Sequence, residues 1–363
     1  MKLVSLSWHR FHGKTPGARH AHRTWASRQG FHVLVADDVG RVGQGEALPL
    51  PGYSPDDLDA VERALAEVKV FELSVEPEAL VHDLSSIASP SARFAVETAV
   101  LDVIGQGCGV SLGRLLGPSE EAPRPVAQLV LADTPHEIEQ AIHRGIEAGY
   151  TTFKLKVGAE GRFDHDRLCL EAARRALPAG GRLRADANGG YGRGVDDDEL
   201  WARIEALASL ELEWLEEPAP ASRMVAAPEL STPIAFDESM VEEREYSAIR
   251  ILWARQRVAA MVLKPAILGG LTSAIRVAME AARFGVPSIV SHLFDGPIAY
   301  TACAALACGL SSPRGEPPAH GLGLHVGLEP WPHAHVPFAF GTVMVNHAPG
   351  LGLARLEPPS GVD

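Results

Sequence analysis

The chain has 363 residues, 46% of them apolar and 22% charged, which allows a sizeable core and leaves length for a second, smaller domain. A formal net charge of -13 leaves no basic face for phosphate and so argues against a nucleic-acid partner. No apolar run approaches the ~20 residues of a membrane helix, and the first ten residues turn polar too early for a signal peptide, so a cytoplasmic protein is expected.

Residues 1–117 read as a separate α+β domain. A polar, basic loop is expected over 9–23, a strand over 31–36, and a turn at Asp37-Asp38-Val39-Gly40. The stretch Gly45-Glu46-Ala47-Leu48-Pro49-Leu50-Pro51-Gly52-Tyr53-Ser54 carries too much Pro and Gly for regular structure. Ser54-Pro55-Asp56-Asp57 then supplies a capping serine, a proline at the first helical position and acids in the first turn. Pro90-Ser91-Ala92-Arg93 leads into a largely apolar helix. The cysteines, Cys108, Cys169, Cys303 and Cys308, form no CxxC or zinc pattern and are expected as buried, reduced thiols.

Beyond Pro123 the texture becomes strand, helix, strand, helix. Strands are predicted over 127–131, 152–157, 182–187, 212–216, 234–237, 260–264, 288–291 and, weakly, 319–322. Amphipathic helices fall between them, for example over 136–148, 164–176 and 197–206. Eight such units fit an α/β fold of the (β/α)8-barrel type over residues 118–325, with a doubly wound open sheet as the alternative. The tail, 326–363, breaks the rhythm and is expected to return onto the first domain.

The chemistry concentrates in the barrel. Strand alternation in Phe153-Lys154-Leu155-Lys156-Val157 puts Lys154 and Lys156 on one face. In a site closed to water, their mutual repulsion and desolvation lower a lysine pKa toward that of a usable base, although such a pair also suits a strand facing solvent. Three later strands end in carboxylates, Asp186, Glu216 and Asp237, each about one strand–helix unit apart. At the C-terminal rim of a barrel they converge and repel unless a cation joins them, and an all-oxygen set favours Mg2+ or Mn2+ over Zn2+. Any one of them alone would equally suit a helix N-terminus or a solvated loop. Glu217 and Glu238 read as partners of the ligands or lysines behind them. Lys264 ends the next strand and should face the same rim from across the barrel.

Thr152-Phe153-Lys154-Leu155-Lys156, Asp186-Ala187-Asn188, Glu216-Glu217-Pro218, Asp237-Glu238-Ser239 and Lys264-Pro265 resemble, in order and separation, the site motifs of the enolase superfamily, muconate-lactonizing-enzyme subgroup. Within it, the stretch from Gly45 to Ser54, Pro90-Ser91-Ala92-Arg93-Phe94 and Gly321-Leu322-Gly323 are similar to segments typical of o-succinylbenzoate synthases. The resemblance implies a modified barrel of seven helices plus a last strand, topped by an N-terminal capping domain that the C-terminal tail completes. It also implies Asp186, Glu216 and Asp237 as Mg2+ ligands, supported by Asn188, Glu217 and Glu238. Lys156 is then the acid/base with Lys154 beside it, and Lys264 lies on the opposite face. The implied reaction is a syn dehydration in menaquinone biosynthesis, starting with removal of the proton next to a metal-bound carboxylate. Racemization of N-acylamino acids, epimerization of dipeptides, and a non-catalytic carboxylate-binding barrel are the alternatives.

Substrate recognition is expected from the seventh barrel strand, Ser291-His292-Leu293-Phe294-Asp295, with Ser291, His292 and Asp295 facing a small carboxylate substrate. Arg19 and Arg23 are candidates for a distal carboxylate, against the simpler reading of a solvated loop. The cluster Gly189-Gly190-Tyr191-Gly192-Arg193-Gly194 lacks the GxGxxG spacing and reads as a rim loop rather than a phosphate cradle. A homo-oligomer is left open.

Overall fold

The computed structural model describes every residue except 21–22, 75–76, 118–120 and 358–363, and no side chains for 16–23, 72 and 77–78. The first domain opens on a long hairpin, β1 (Leu3–His20) and β2 (Arg23–Asp37), followed by β3 (Val42–Ala47) in an antiparallel β1-β2-β3 sheet. Of the loop expected over 9–23, residues 9–20 and 23 are therefore strand. Its backbone pairs in register from Leu3↔Asp37 to His20↔Arg23, broken by shifts near Ser5 and Ala18, so hydrogen bonding overrides polar composition.

The Gly-rich stretch expected to be irregular contains part of β3. Cβ atoms at Gly43 and Gly45 would overlap the carbonyl oxygens of Ala99 and Ala95, so these glycines let the strand lie directly against a helix. That helix, α3 (Pro90–Cys108), follows α1 (Leu58–Glu67) and α2 (Pro77–Leu84), and precedes the short α4 (Leu112–Leu116). It is apolar almost all round because it is covered on several sides.

The cap of α1 shifts from the expected Ser54 to Asp57, which accepts from the Ala60 N–H at 2.8 Å. Ser54 instead accepts from Leu50 N, and Asp56 accepts from Ser89 Oγ and from Ser91 N and Oγ at the start of α3. All four cysteines are free, but Cys108 is exposed rather than buried, since it ends α3 where the helix leaves the core.

After β4 (Arg124–Pro125), the barrel alternates β5 (Ala127–Val130), α5 (Pro135–Glu147), β6 (Thr152–Lys156), α6 (Phe163–Ala176), β7 (Arg182–Asp186), α7 (Asp197–Glu205), β8 (Trp214–Glu216), α8 (Ala221–Met224) and β9 (Ile234–Phe236). It continues with α9 (Glu243–Ala254), β10 (Ala260–Leu263), α10 (Pro265–Leu268), α11 (Leu271–Ala282), β11 (Ser288–Val290) and α12 (Pro297–Gly309). Strands β5 to β11 pair in parallel and in chain order. Helix starts follow local chemistry: Thr134 and Asp196 cap α5 and α7 by accepting from the N–H three residues on.

Residues 319–321 take the eighth strand position. His320 bridges to Val126 and Gly321 to Ser291, and His320 O accepts from Ala127 N at 2.8 Å, so the curled sheet closes rather than remaining open. The tail adds β12 (Phe338–Ala339) and β13 (Thr342–Val343), the latter paired with β4. It also reaches the first domain. Trp331 packs edge-on against Phe11, Leu351 N donates to Asp102, and Leu356 N donates to Gln44. No helix among the described residues is long and apolar enough to cross a membrane.

Candidate active site

The parallel register sets the site. Lys154 pairs with Arg184 and Lys156 with Asp186, Arg184 with Trp214 and Asp186 with Glu216. Because side chains alternate along a strand, these inward residues form two stacked layers, and the upper one lies at the C-terminal rim. Asp237 directly follows β9 and Lys264 directly follows β10. Read around the sheet, the order is therefore two lysines, three carboxylates and one lysine.

The carboxylates are almost completely buried: Asp186 and Glu216 at 0% and Asp237 at 3% exposure. Lys154 Nζ lies 2.7 Å from both Asp186 and Glu216, Lys156 Nζ lies 2.5 Å from Asp186 and 3.1 Å from Asn188, and Lys264 pairs with Asp237. Burial pulls the Lys154 and Lys264 ammonium groups down, but carboxylate neighbours outweigh it and hold both above the usual lysine range, Asp186 and Glu216 for Lys154 and Asp237 and Glu238 for Lys264. At Lys154 the lowering expected from lysine–lysine repulsion does not occur, because its ammonium lies 2.7 Å from both Asp186 and Glu216. Burial pushes Glu216 up, reinforced by Asp186, whereas Lys154, Lys156 and Lys264 overcome burial at Asp186 and hold it low.

Among the described residues, no three His, Cys, Asp or Glu side chains are gathered around one point, because the carboxylates turn toward the lysines. Their chemistry nevertheless fits a hard cation: three adjacent, buried carboxylates with no nitrogen or sulfur among them.

Asn188, Glu217 and Glu238 sit directly behind. Asn188 Nδ2 donates to Glu238 at 2.7 Å, and Glu217 accepts from Asp237 N at 2.9 Å and from the Ser239 hydroxyl. Asn188 and Glu217 both have φ of 44°, left-handed backbone that non-glycine residues adopt at some cost and that these hydrogen bonds hold in place.

A cavity of about 240 Å³ opens over the lysines, bordered by Trp25, Tyr53, Ser291, His292 and His325. Ser291 and His292 thus lie where a substrate-facing role was expected. Asp295 does not. It is buried beside Arg28, accepts from Leu293 N at 3.0 Å, and holds the loop after β11. The backbone of Arg19 lies in β1, and its side chain, with that of Arg23, lies outside the described residues. In the glycine cluster, Gly190 packs on the Gly158 carbonyl, a close backbone approach rather than a phosphate cradle.

Residues 137–357 match the model for the enolase C-terminal domain-like family, which is more than half of the chain. The chain belongs to the enolase superfamily. An o-succinylbenzoate synthase of Thermosynechococcus vestitus is 31% identical over 315 residues, covering 82% of this chain and 89% of that one. An N-succinyl-L-Arg/Lys racemase of Bacillus cereus is 24% identical over 280 residues, 74% of each chain. The fold is also that of a dipeptide epimerase from Methylococcus capsulatus, solved with Mg and the dipeptide L-Arg-D-Lys. It has a TM-score of 0.83 at 24% identity and covers 98% of this chain and 100% of that one.

Two residues of this superfamily member escaped the sequence reading. Tyr53 comes from the first domain, yet its hydroxyl accepts from Lys264 Nζ, donates to Glu238 at 2.8 Å, and lies 3.4 Å from Asp237. No local pattern points a tyrosine at a lysine 211 positions away. Arg184 is fully buried on the cavity floor, bonded to Glu213 and the Ala319 carbonyl, with its ring-facing side 3.8 Å from Trp214 and Nη2 unpartnered. Its signal was available: Arg184 stands two residues before Asp186 and so shares its inward face.

Proposed function

We propose that the protein is a Mg2+-dependent o-succinylbenzoate synthase of menaquinone biosynthesis. The observation that carries this reading is the order around the barrel rim, with Lys154 and Lys156 before the three carboxylates and Lys264 after them. Asp186, Glu216 and Asp237 would hold the cation. When bound, it makes the proton next to a carboxylate more acidic and stabilises the charge left behind. Lys156 removes that proton and returns it to the departing hydroxyl on the same face, so the products are water and an aromatic ring. Lys154 stays charged beside it, and Lys264 provides a cation over the other face. The 31% identity to a synthase over most of both chains supports dehydration.

The assay is formation of o-succinylbenzoate from its cyclohexadiene precursor by purified protein with Mg2+, and no turnover would sink the reading. Racemization or epimerization is the second reading, favoured by Lys264 standing buried within the site at 8% exposure, where it could deliver a proton to the second face. Exchange of the α-proton of both enantiomers of an N-acylamino acid in deuterated solvent separates the two.

A further inference from the structure

Two cavities of opposite charge meet at the barrel rim. The one of about 240 Å³ is lined by Lys154, Lys156, Lys264 and Arg184 and, among the described residues, by no Asp or Glu. A second cavity, of about 610 Å³, shares only Tyr53 and Lys264 with it, so these two side chains form the common wall. The second lining carries Glu217, Asp237, Glu238, Glu242 and Glu245, against Lys264 and Arg193. Of the three rim carboxylates, Asp237 alone borders either cavity, and it borders the acidic one.

The acidic cavity has a buried floor and an open mouth. At the floor, Glu217 and Asp237 are each 3% exposed, whereas Arg193 and Glu242 are exposed to solvent. The floor adjoins the carboxylate row at hydrogen-bonding distance. Tyr53 Oη lies 3.4 Å from Asp237. Asn188, also in this lining, donates from Nδ2 to Glu238 at 2.7 Å and from its backbone N–H to Asp186 at 3.2 Å. An ion on the floor therefore stands beside Asp237 and one residue away from Asp186.

These charges sort what can enter. A divalent cation moving through the first cavity passes three ammonium groups, and low-dielectric walls strengthen that repulsion. A cleft lined by carboxylates instead concentrates cations and speeds their association.

We infer that the acidic cavity is the entry route of the divalent cation to Asp237 and its neighbouring carboxylates, separate from the lysine-lined cavity. The inference rests on the proposed cation site and adds the path by which the ion reaches it. Glu242 and Arg193 at the mouth set the potential met by the ion, the first drawing it in and the second opposing it.

The test follows binding of Mn2+ to the full-length protein by stopped-flow quenching of tryptophan fluorescence, with release measured by an EDTA chase. Trp214 opens the strand that ends in Glu216 and serves as a reporter. At low ionic strength, Glu242→Lys should slow association at least about threefold and Arg193→Glu should speed it by about the same factor, with release changed less. Both differences should shrink in about 0.5 M salt, which screens exposed charges. Leu324 is 55% exposed and borders the lysine-lined cavity. Leu324→Lys should leave Mn2+ association within about 1.5-fold of the wild type. Thermal unfolding of each variant should be unchanged.

Unaltered association in both Glu242→Lys and Arg193→Glu overturns the inference. So does a Leu324→Lys variant that slows entry as much as Glu242→Lys, because the ion then passes the first cavity or responds to net charge alone. A wild type that binds no Mn2+ overturns the cation site and the route together. One that binds Mn2+ at a rate indifferent to both mouth residues overturns the route and leaves the site standing.

Discussion

Tyr53 joins the two domains at the lysine-lined cavity. Its hydroxyl touches Lys264, Glu238 and Asp237, and its ring lies 4.8 Å from the Lys264 nitrogen. One hydrogen bond to a charged group is worth about 1.4 kcal/mol, or roughly tenfold in rate. Tyr53→Phe should therefore lower kcat/KM about tenfold with Tm unchanged, as checked by steady-state kinetics beside thermal unfolding. Lys156 carries a larger share. Lys156→Ala should reduce α-proton exchange by at least about a hundredfold, the scale of a general base, while Mg2+ still binds. Exchange followed by NMR in deuterated buffer, with metal titration of the same sample, checks this, and persistent exchange would remove Lys156 as the base.

At the scale of elements, the first domain docks by supplying carboxylates to barrel helices. Glu97 of α3, 1% exposed, accepts from the N–H groups of Leu271 and Thr272 and the Thr272 hydroxyl at the start of α11. Glu46 of β3 accepts from Gly296, Ile298 and Ala299 at the start of α12. Both helices lack a capping side chain of their own, beginning after Gly270 and Gly296, so the orphan donors of their first turns find acceptors across the domain boundary. Glu97→Ala strands these donors and should destabilise the fold by about 1–3 kcal/mol, while Glu97→Gln, which keeps an acceptor, should cost less. Urea unfolding of both variants measures it.

At the scale of the whole molecule, a buried imidazole is expected to contribute to loss of stability in acid. His320 is 1% exposed in the eighth strand and accepts from Val290 N, and burial pushes it down to about 3 from its ordinary 6.5. The unfolded chain therefore takes up this proton first as pH falls. Stability from His320 is fully present above about 6.5 and is lost as pH drops from there toward 3. Between pH 6.5 and 5 the loss is about 2 kcal/mol. His320→Asn retains an acceptor for Val290 N and should remove that part of the pH dependence, as read from urea midpoints at pH 7 and 5.

The row of lysines and carboxylates was legible because its cause is local. Period-two alternation orients Lys154, Lys156 and Asp186, and repeated strand–helix units bring Glu216, Asp237 and Lys264 to the same rim. Barrel strands were located to within a residue or two for the same reason. The strand over 31–36 was expected and lies within β2, but residues 9–20 were expected as loop because their pairing, not their composition, makes them strand, and β3 was missed because its glycines answer to α3. Tyr53 at Lys264, and Glu97 and Glu46 at helix starts, each join segments far apart in the chain. No spacing encodes those meetings: they depend on how the first domain settles on the barrel. The sequence alone thus determined the barrel and the row of lysines and carboxylates at its rim, while only the tertiary structure decided what covers that row, because those contacts join segments distant in the chain.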